Sequence, residues 1–236
     1  MIKTFIWFLL FFLYLFFSLP KLWKAKKLKR ADNKKRFERF LKKEAIKWSG
    51  FLLKIAGINI KVEGLKNIDK NENIVFVSNH QSNFDIPILF SSLKMPIGFI
   101  AKKEIKKIPI INRWMKLFNC VFIDRLDIRQ SIKAINKGAK NIEKGRNMVI
   151  FPEGTRSKDG KLNEFKPGSF KLAQKSKATI IPIAIDGSIN AMKKGDIKIK
   201  SANVKVSILK PIEIKRDTTV LAKEVKESIE KKLNEE

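Results

Sequence analysis

Fifteen consecutive residues from Phe5 to Leu19, FIWFLLFFLYLFFSL, carry no charged side chain, and they constrain the chain more than any other segment. Such a run has to be covered by protein or lipid. As a helix it rises about 22 Å, short of the roughly 30 Å hydrocarbon core of a bilayer. The expectation is therefore a shallow or re-entrant anchor, or a span stretched into the interface. A cleaved secretory signal shares the short apolar stretch and the early lysine. The following segment argues against it: Lys21 to Lys43 holds 12 basic and 2 acidic side chains. Basic residues next to an apolar segment are retained on the cytoplasmic side, so the predicted location is the cytoplasmic face of a membrane.

A second apolar pattern follows. Phe37, Phe40, Leu41, Ala45, Trp48, Phe51, Leu52 and Ile55 recur at steps of three and four, the spacing of one helical face. Lys42, Lys43, Lys47 and Lys54 lie between them, suited to lipid phosphates. The alternative is a helix packed on a domain core; with an anchor just upstream, the interfacial helix is expected. Residues 1–58 thus read as a membrane-associating helical arm of two helices, with 15 basic and 3 acidic side chains directed to an anionic surface.

From residue 59 the pattern changes to short apolar strands alternating with helices. Strands are predicted at Asn59–Gly64, Asn73–Ser78, Ile97–Lys102, Cys120–Asp124, Met148–Phe151, Thr179–Ile185 and Asn203–Ile214. One helix starts at a capping-type Asp127/Gln130 pair and runs to about Lys144; another starts near Thr218 or Thr219, with Val225, Ile229 and Leu233 on one stripe. The predicted class is α/β, one catalytic domain over 59–236 with a mostly parallel mixed sheet flanked by helices.

Several function classes drop out. One cysteine, Cys120, and one histidine, His80, exclude a disulfide framework and the multi-cysteine or two-histidine zinc sites, and no metal site is predicted. The formal charge of +28 fits nucleic acid, an anionic membrane or a phosphorylated substrate. No zinc finger, basic zipper or RNA-binding aromatic stretch appears, so nucleic acid is not expected.

Chemistry-bearing residues gather where strands end. After the strand Ile74–Val77 comes Asn79-His80-Gln81-Ser82-Asn83-Phe84-Asp85. If a helix starts at Ser82, His80 lies in the preceding turn. Asp85 in the first turn can then hold the imidazole Nδ1–H and leave Nε2 free as a base. Ser82 and Asp85 also have capping-box spacing, a purely structural alternative. The second group, Phe151-Pro152-Glu153-Gly154-Thr155-Arg156-Ser157, ends another strand. There Gly154 allows close backbone approach, and Arg156 offers a planar fork for phosphate oxygens. Absence of a Gly-Lys-Ser/Thr sequence argues against a nucleotide-hydrolysing loop, and a local Glu153–Arg156 pair is the structural alternative. Further strand ends supply Phe122-Ile123-Asp124-Arg125 and Ala101-Lys102-Lys103-Glu104.

These blocks, with Ile181-Pro182-Ile183 and Phe165-Lys166-Pro167-Gly168, resemble the 1-acyl-sn-glycerol-3-phosphate acyltransferases in content and order, over roughly residues 60–190. His80 and Asp85 fit that family's HxxxxD motif, and the FPEGTRS block some 70 residues later makes the match specific. The resemblance implies transfer of a fatty acyl group from acyl-CoA or acyl-carrier protein to the 2-hydroxyl of lysophosphatidic acid, giving phosphatidic acid, with no cofactor. His80 is then the base and Asp85 its orienting group. Glu153, Gly154, Thr155 and Arg156 belong to the substrate loop, and Arg125, Lys102 and Lys103 are further substrate-binding candidates. Asn112 and Asn119 stand where the family usually has glycine, which bears on the acyl and acceptor pockets. Glycerol-3-phosphate or another lysophospholipid is the alternative acceptor. Cys120, in an apolar strand with no second histidine to activate it, reads as packing rather than as a nucleophile.

Overall fold

The computed structural model describes residues 1–31, 33–69 and 72–235. Their strands are β1 (Ile58–Glu63), β2 (Ile74–Ser78), β3 (Gly98–Lys102), β4 (Val121–Ile123), β5 (Met148–Ile150), β6 (Thr179–Asp186) and β7 (Ala202–Ile208). They form one sheet in the order β1-β7-β6-β2-β5-β3-β4, parallel except between β6 and β7. The helices are α1 (Ile2–Phe17), α2 (Leu19–Arg30), α3 (Lys34–Ala56), α4 (Asp85–Leu93), α5 (Pro109–Leu117), α6 (Ile128–Glu143), α7 (Lys171–Ser176) and α8 (Thr218–Asn234).

Strand side chains alternate between two faces, and each face is covered by helices. Ile74 and Phe76 of β2 join Val149, Ile181 and Val206 in a cluster with α1, α3 and α4, while Val75, Val77, Met148 and Ile150 face α6, α7 and α8. Burial on both sides explains why these strands read as continuous apolar runs. Pro182 lies inside β6, where a proline normally removes a ladder bond. It stands where the antiparallel pairing of β6 with β7 begins at Ile183, and its carbonyl accepts Leu209 N–H at 2.9 Å. The strand predicted to reach residue 214 ends as β7 at Ile208 because Pro211 cannot continue a ladder; an isolated Ile180–Ile212 bridge follows.

The N-terminal segment differs from its sequence pattern in two respects. It forms three helices rather than two. The chain bends by 42° between α1 and α2, where Ser18 Oγ returns to Leu15 O at 2.7 Å and Pro20 occupies the first turn of α2. Asn33 then caps α3 by accepting Arg36 N–H at 3.0 Å. The apolar face of α3 is also turned inward: Phe37, Leu41, Ala45 and Leu52 are buried in the cluster that contains β2 and α4. It is a core helix, because that face matches an otherwise uncovered side of the sheet, and lipid is not needed to hide it.

Helix α1 is pinned from several directions. Trp7 Nε1 donates to Leu52 O at 3.1 Å, Thr4 Oγ1 accepts Ile199 N–H at 3.1 Å, and Lys3 Nζ reaches Ser201 Oγ at 2.7 Å. Thr4, Trp7 and Leu15 face inward, whereas Phe5, Phe12 and Phe16 remain 70%, 60% and 61% exposed and Trp23 on α2 is 69% exposed. Among the described residues no single helix is long and apolar enough to cross a membrane, although the bent pair α1 and α2 is when taken together.

Beyond β6 the chain turns at Gly187 with φ +81°, and a Cβ there would lie 2.3 Å from the backbone carbonyl oxygen of Asn203. Replacing Gly187 by alanine should cost on the order of 2 kcal/mol or more. That corresponds to a Tm lower by about 4–8 °C for a chain of this size. Thermal unfolding of Gly187→Ala in detergent checks it, and an unchanged melting curve would mean the turn relaxes freely.

Candidate active site

The loops after β2, β5 and β6 meet over the carboxyl ends of three adjacent parallel strands, the edge at which such sheets present ligands. Asn79, at the end of β2, ties the first loop to β6. Its Nδ2 donates to Ile185 O and its Oδ1 accepts Ile185 N–H, both at 2.8 Å. Ser157 N–H donates to His80 O at 2.8 Å, bridging to the loop after β5. Ser82 Oγ donates to Met192 O at 2.9 Å, bridging to the loop after β6.

The centre of this junction is Asp85, fully buried in the first turn of α4. Its Oδ2 accepts His80 Nδ1–H at 2.7 Å, Gln81 N–H at 2.8 Å and Ser82 N–H at 2.9 Å. Its Oδ1 accepts the Ser188 hydroxyl at 2.6 Å. All four partners donate, which is what an ionised carboxylate requires once it has left water. The imidazole proton therefore sits on Nδ1, leaving the Nε2 lone pair free. The helix starts at Asp85 rather than at Ser82. The carboxylate ties up the N–H groups of Gln81 and Ser82, so residues before Asp85 form a turn. The imidazole support expected from the sequence is made, while the capping box is not: Phe84 is the residue before the helix, no side chain caps it, and of the expected reciprocal pair only Ser82 N–H to Asp85 Oδ2 forms.

The His80 ring stacks on Phe151, with centroids 4.0 Å apart and planes inclined by 16°, and its side chain keeps 16% of its surface exposed. Behind it, Glu153 is buried and its Oε1 accepts His80 N–H at 2.7 Å; Oε2 takes Asn163 N–H at 3.1 Å and Asn163 Nδ2 at 2.5 Å. Burial raises the Glu153 carboxyl above its ordinary pKa. No ion pair joins it to Arg156 among the described residues; its carboxylate braces the backbone of the two loops.

The other residues of the loop after β5 face outward. Gly154 adopts φ +72°, and Lys166 Nζ lies 3.2 Å from where its Cβ would stand. Thr155 is exposed and Arg156 half-buried; among the described residues neither side chain has a hydrogen-bond partner. Arg125, beyond β4, donates to Gly154 O and so links the rim of β4 to this loop. Lys103 is held by Asp124 at 2.5 Å and Lys102 lies 3.6 Å from Glu104, both two strands away from β2. The structure thus brings His80, Asp85, Glu153, Gly154, Thr155, Arg156 and Arg125 together, and sets Lys102 and Lys103 farther along the same rim in ion pairs. Burial pushes the Cys120 thiol up to about 12, which suits packing and not attack. Among the described residues no three His, Cys, Asp or Glu side chains are placed to share a metal.

Ser188, Phe151, Asn163 and Lys166 are site residues that motif reasoning passed over in these roles. Ser188 lies 103 residues from Asp85, and only its place after a strand ending at the same rim hinted at it.

Residues 59–186 match the model of the Acyltransferase family. The chloroplastic 1-acyl-sn-glycerol-3-phosphate acyltransferase of Arabidopsis thaliana is 40% identical over 155 residues, 65% of this chain and 43% of that protein. The 1-acyl-sn-glycerol-3-phosphate acyltransferase of Borreliella burgdorferi is 35% identical over 136 residues, 58% of this chain and 54% of that one. The chain spans about half the length of the curated relatives it matches. The crystal structure of the 1-acyl-sn-glycerophosphate acyltransferase PlsC from Thermotoga maritima is similar with a TM-score of 0.79 at 28% identity, covering 96% of both chains.

Because His80 is the sole histidine, its tautomer is directly readable. In ¹⁵N-histidine spectra of the neutral imidazole, Nδ1 should carry the proton and Nε2 should be bare. Asp85→Asn should shift the population toward the Nε2–H form, and Ser188→Ala should leave the wild-type tautomer with a weaker hydrogen bond. A wild-type spectrum dominated by Nε2–H would contradict the geometry.

Proposed function

This chain belongs to the Acyltransferase family, matched over more than half of its length, and from that premise we propose that it moves a fatty acyl group from a thioester donor, acyl-CoA or acyl-carrier protein, to the 2-hydroxyl of 1-acyl-sn-glycerol-3-phosphate. The observation that carries the reading is the His80–Asp85 pair at 2.7 Å, at a rim where, among the described residues, His80 Nε2 and Arg156 have no partner. The PlsC similarity across nearly the whole chain supports the acceptor, with glycerol-3-phosphate or another lysophospholipid as the alternative.

In the proposed reaction, His80 Nε2 takes the proton from the acceptor hydroxyl as its oxygen attacks the thioester carbonyl carbon. Asp85 holds the ring and stabilises the imidazolium that forms. Collapse of the tetrahedral intermediate breaks the C–S bond, and the imidazolium returns the proton to the leaving sulfur. The substrate hydroxyl takes the place of an enzyme nucleophile, which explains why a histidine–aspartate pair suffices. Arg156 and Lys166 are placed to bind the acceptor phosphate, with Gly154 and Thr155 letting it approach the loop. Arg125 shapes that loop through Gly154 O and retains further N–H donors. Lys102 and Lys103, committed to Glu104 and Asp124, tune the field of the rim.

The exposed aromatic face of α1 and the basic α2 favour work at an anionic membrane surface, on the cytoplasmic side by the charge bias. Phe5, Phe12 and Phe16 would enter the lipid while Thr4, Trp7 and Leu15 keep the helix on the domain.

Purified protein offered lysophosphatidic acid with acyl-CoA or acyl-carrier protein should form phosphatidic acid by mass spectrometry. His80→Ala should lower the rate by about 10²–10⁴-fold. Product from glycerol-3-phosphate alone would move the acceptor to the alternative, and folded protein inert with every pair would overturn the reading. Phe5→Ser/Phe12→Ser/Phe16→Ser should release the protein from anionic vesicles with little change in Tm; undiminished vesicle binding would remove α1 as the docking face.

A further inference from the structure

A second basic site lies outside the rim that holds His80. Strand β4 is the edge of the sheet, so its outer backbone groups have no strand partner. Along it runs a half-open groove of about 370 Å³, with Val121 and Phe122 in its wall and Lys106, Lys116, Lys133 and Lys137 around it. Lys106 comes from the 3-10 turn after β3, Lys116 from α5, and Lys133 and Lys137 from one face of α6. Among the described residues none of the four makes an ion pair. A nearby acid, Asp127, is committed to the α6 cap, accepting Gln130 N–H at 3.0 Å and Gln130 Nε2 at 2.9 Å. Lys133 is close enough to Asp127 to lower its carboxyl, but with four lysines around one groove and none of them ion-paired the field there favours a polyanion.

We propose that this groove holds the phosphorylated nucleotide end of a coenzyme A thioester, the donor in the acyl transfer described above, on which this assignment rests. Three observations select that occupant. The volume lies in the range of small-molecule sites, about 300–1,000 Å³, too confined for the surface of a carrier protein. Four cations match a diphosphate plus a ribose phosphate; a carrier protein's prosthetic arm brings one phosphodiester.

The reach also fits. From β4 to β2 is three strand spacings, about 14 Å. The pantetheine arm from diphosphate to sulfur has the contour of about five extended residues, roughly 17 Å. The two lengths are comparable, so a nucleotide whose diphosphate lies at the carboxyl end of β4 brings its thioester toward His80, and the two amides of the arm resemble the peptide groups that a free strand edge pairs with.

The probe is 3′,5′-ADP, which carries the ribose 3′-phosphate and the first of the two 5′-phosphates but no acyl group, titrated calorimetrically into the full-length protein in detergent. Wild type should bind it, and Lys133→Glu/Lys137→Glu should weaken binding at least tenfold while raising the KM for acyl-CoA by a similar factor. The KM for the acceptor should stay within about twofold. Lys223→Glu/Lys231→Glu on α8 makes the same charge change elsewhere and should move the acyl-CoA KM by less than about twofold, separating a site from the overall field. No 3′,5′-ADP binding by wild type, an unchanged acyl-CoA KM in the folded groove variant, or a rise confined to acyl-carrier protein would each overturn the proposal. Nucleotide binding without transfer to any acceptor would remove the acyl-transfer reading and leave the groove. Acyl transfer indifferent to Lys133 and Lys137 would do the reverse.

Discussion

The site depends on one charge held out of water. Asp85 is fully buried, and an isolated carboxylate there would be prohibitive; four donors and the first turn of α4 offset the lost hydration. The four donors come from three structural commitments. Gln81 and Ser82 supply backbone at a helix start, His80 the ring proposed as the base, and Ser188 the loop after β6. Removing the carboxylate therefore does more than free an imidazole. It leaves two peptide N–H groups in a dry junction, each costing about 1–3 kcal/mol when unpaired, while the Ser188 hydroxyl falls back on Gln81 Oε1 at 3.3 Å. Stability and reactivity at this rim are the same set of hydrogen bonds.

Sheet order makes that convergence possible. With β5 and β6 on either side of β2 and all three parallel, the loops that follow them emerge at one edge, although 70 or more residues separate the first from the others. Glu153 and Asn79 exploit that adjacency in the same way. Asn79 satisfies the backbone of β6 at Ile185 and Glu153 that of the loop at His80, as a ladder would if the strands ran longer. His80 is thereby fixed from three sides: Nδ1 by Asp85, its N–H by Glu153, and its ring face by Phe151. An imidazole oriented this way would need little rearrangement to act as the proposed base.

Local patterns were legible, and long-range pairings were not. The strands read as apolar runs because both faces are covered. Asp127 and Gln130 announce α6 through a cap contained within four consecutive residues. His80 and Asp85 could be paired because five residues is a turn's length. Ser188 could not, since nothing local distinguishes its hydroxyl from those of other buried serines, such as Ser92, whose Oγ has no partner. The face of α3 was placed at the membrane for a related reason: helical periodicity reports that a stripe is apolar, not whether lipid or a sheet lies against it. The hidden variable was the uncovered side of the sheet. Likewise the apolar run at the N-terminus announced one helix and concealed the bend at Ser18, where a hydroxyl returns to its own helix and Trp114 Nε1 donates to it at 3.1 Å from α5.

Helix α1 resolves the apparent conflict between an anchor and a core element. Residues 4, 7, 11 and 15 follow one stripe and residues 5, 9, 12 and 16 another, so a helix apolar on all sides can bind protein with one face and lipid with the other. The inward stripe ends close to the chemistry. Trp7 meets Phe84 edge-on with centroids 5.3 Å apart, and Phe84 immediately precedes Asp85. Trp7 also spends its N–H on Leu52 O in α3, so it cannot leave Phe84 without breaking a buried hydrogen bond. The helix facing the proposed lipid surface and the turn that sets the carboxylate are therefore packed as one body. The aromatic side chains exposed on α1 stand in a fixed relation to His80, so under the proposed function a substrate drawn from that surface would meet the site in a set orientation rather than across a flexible hinge.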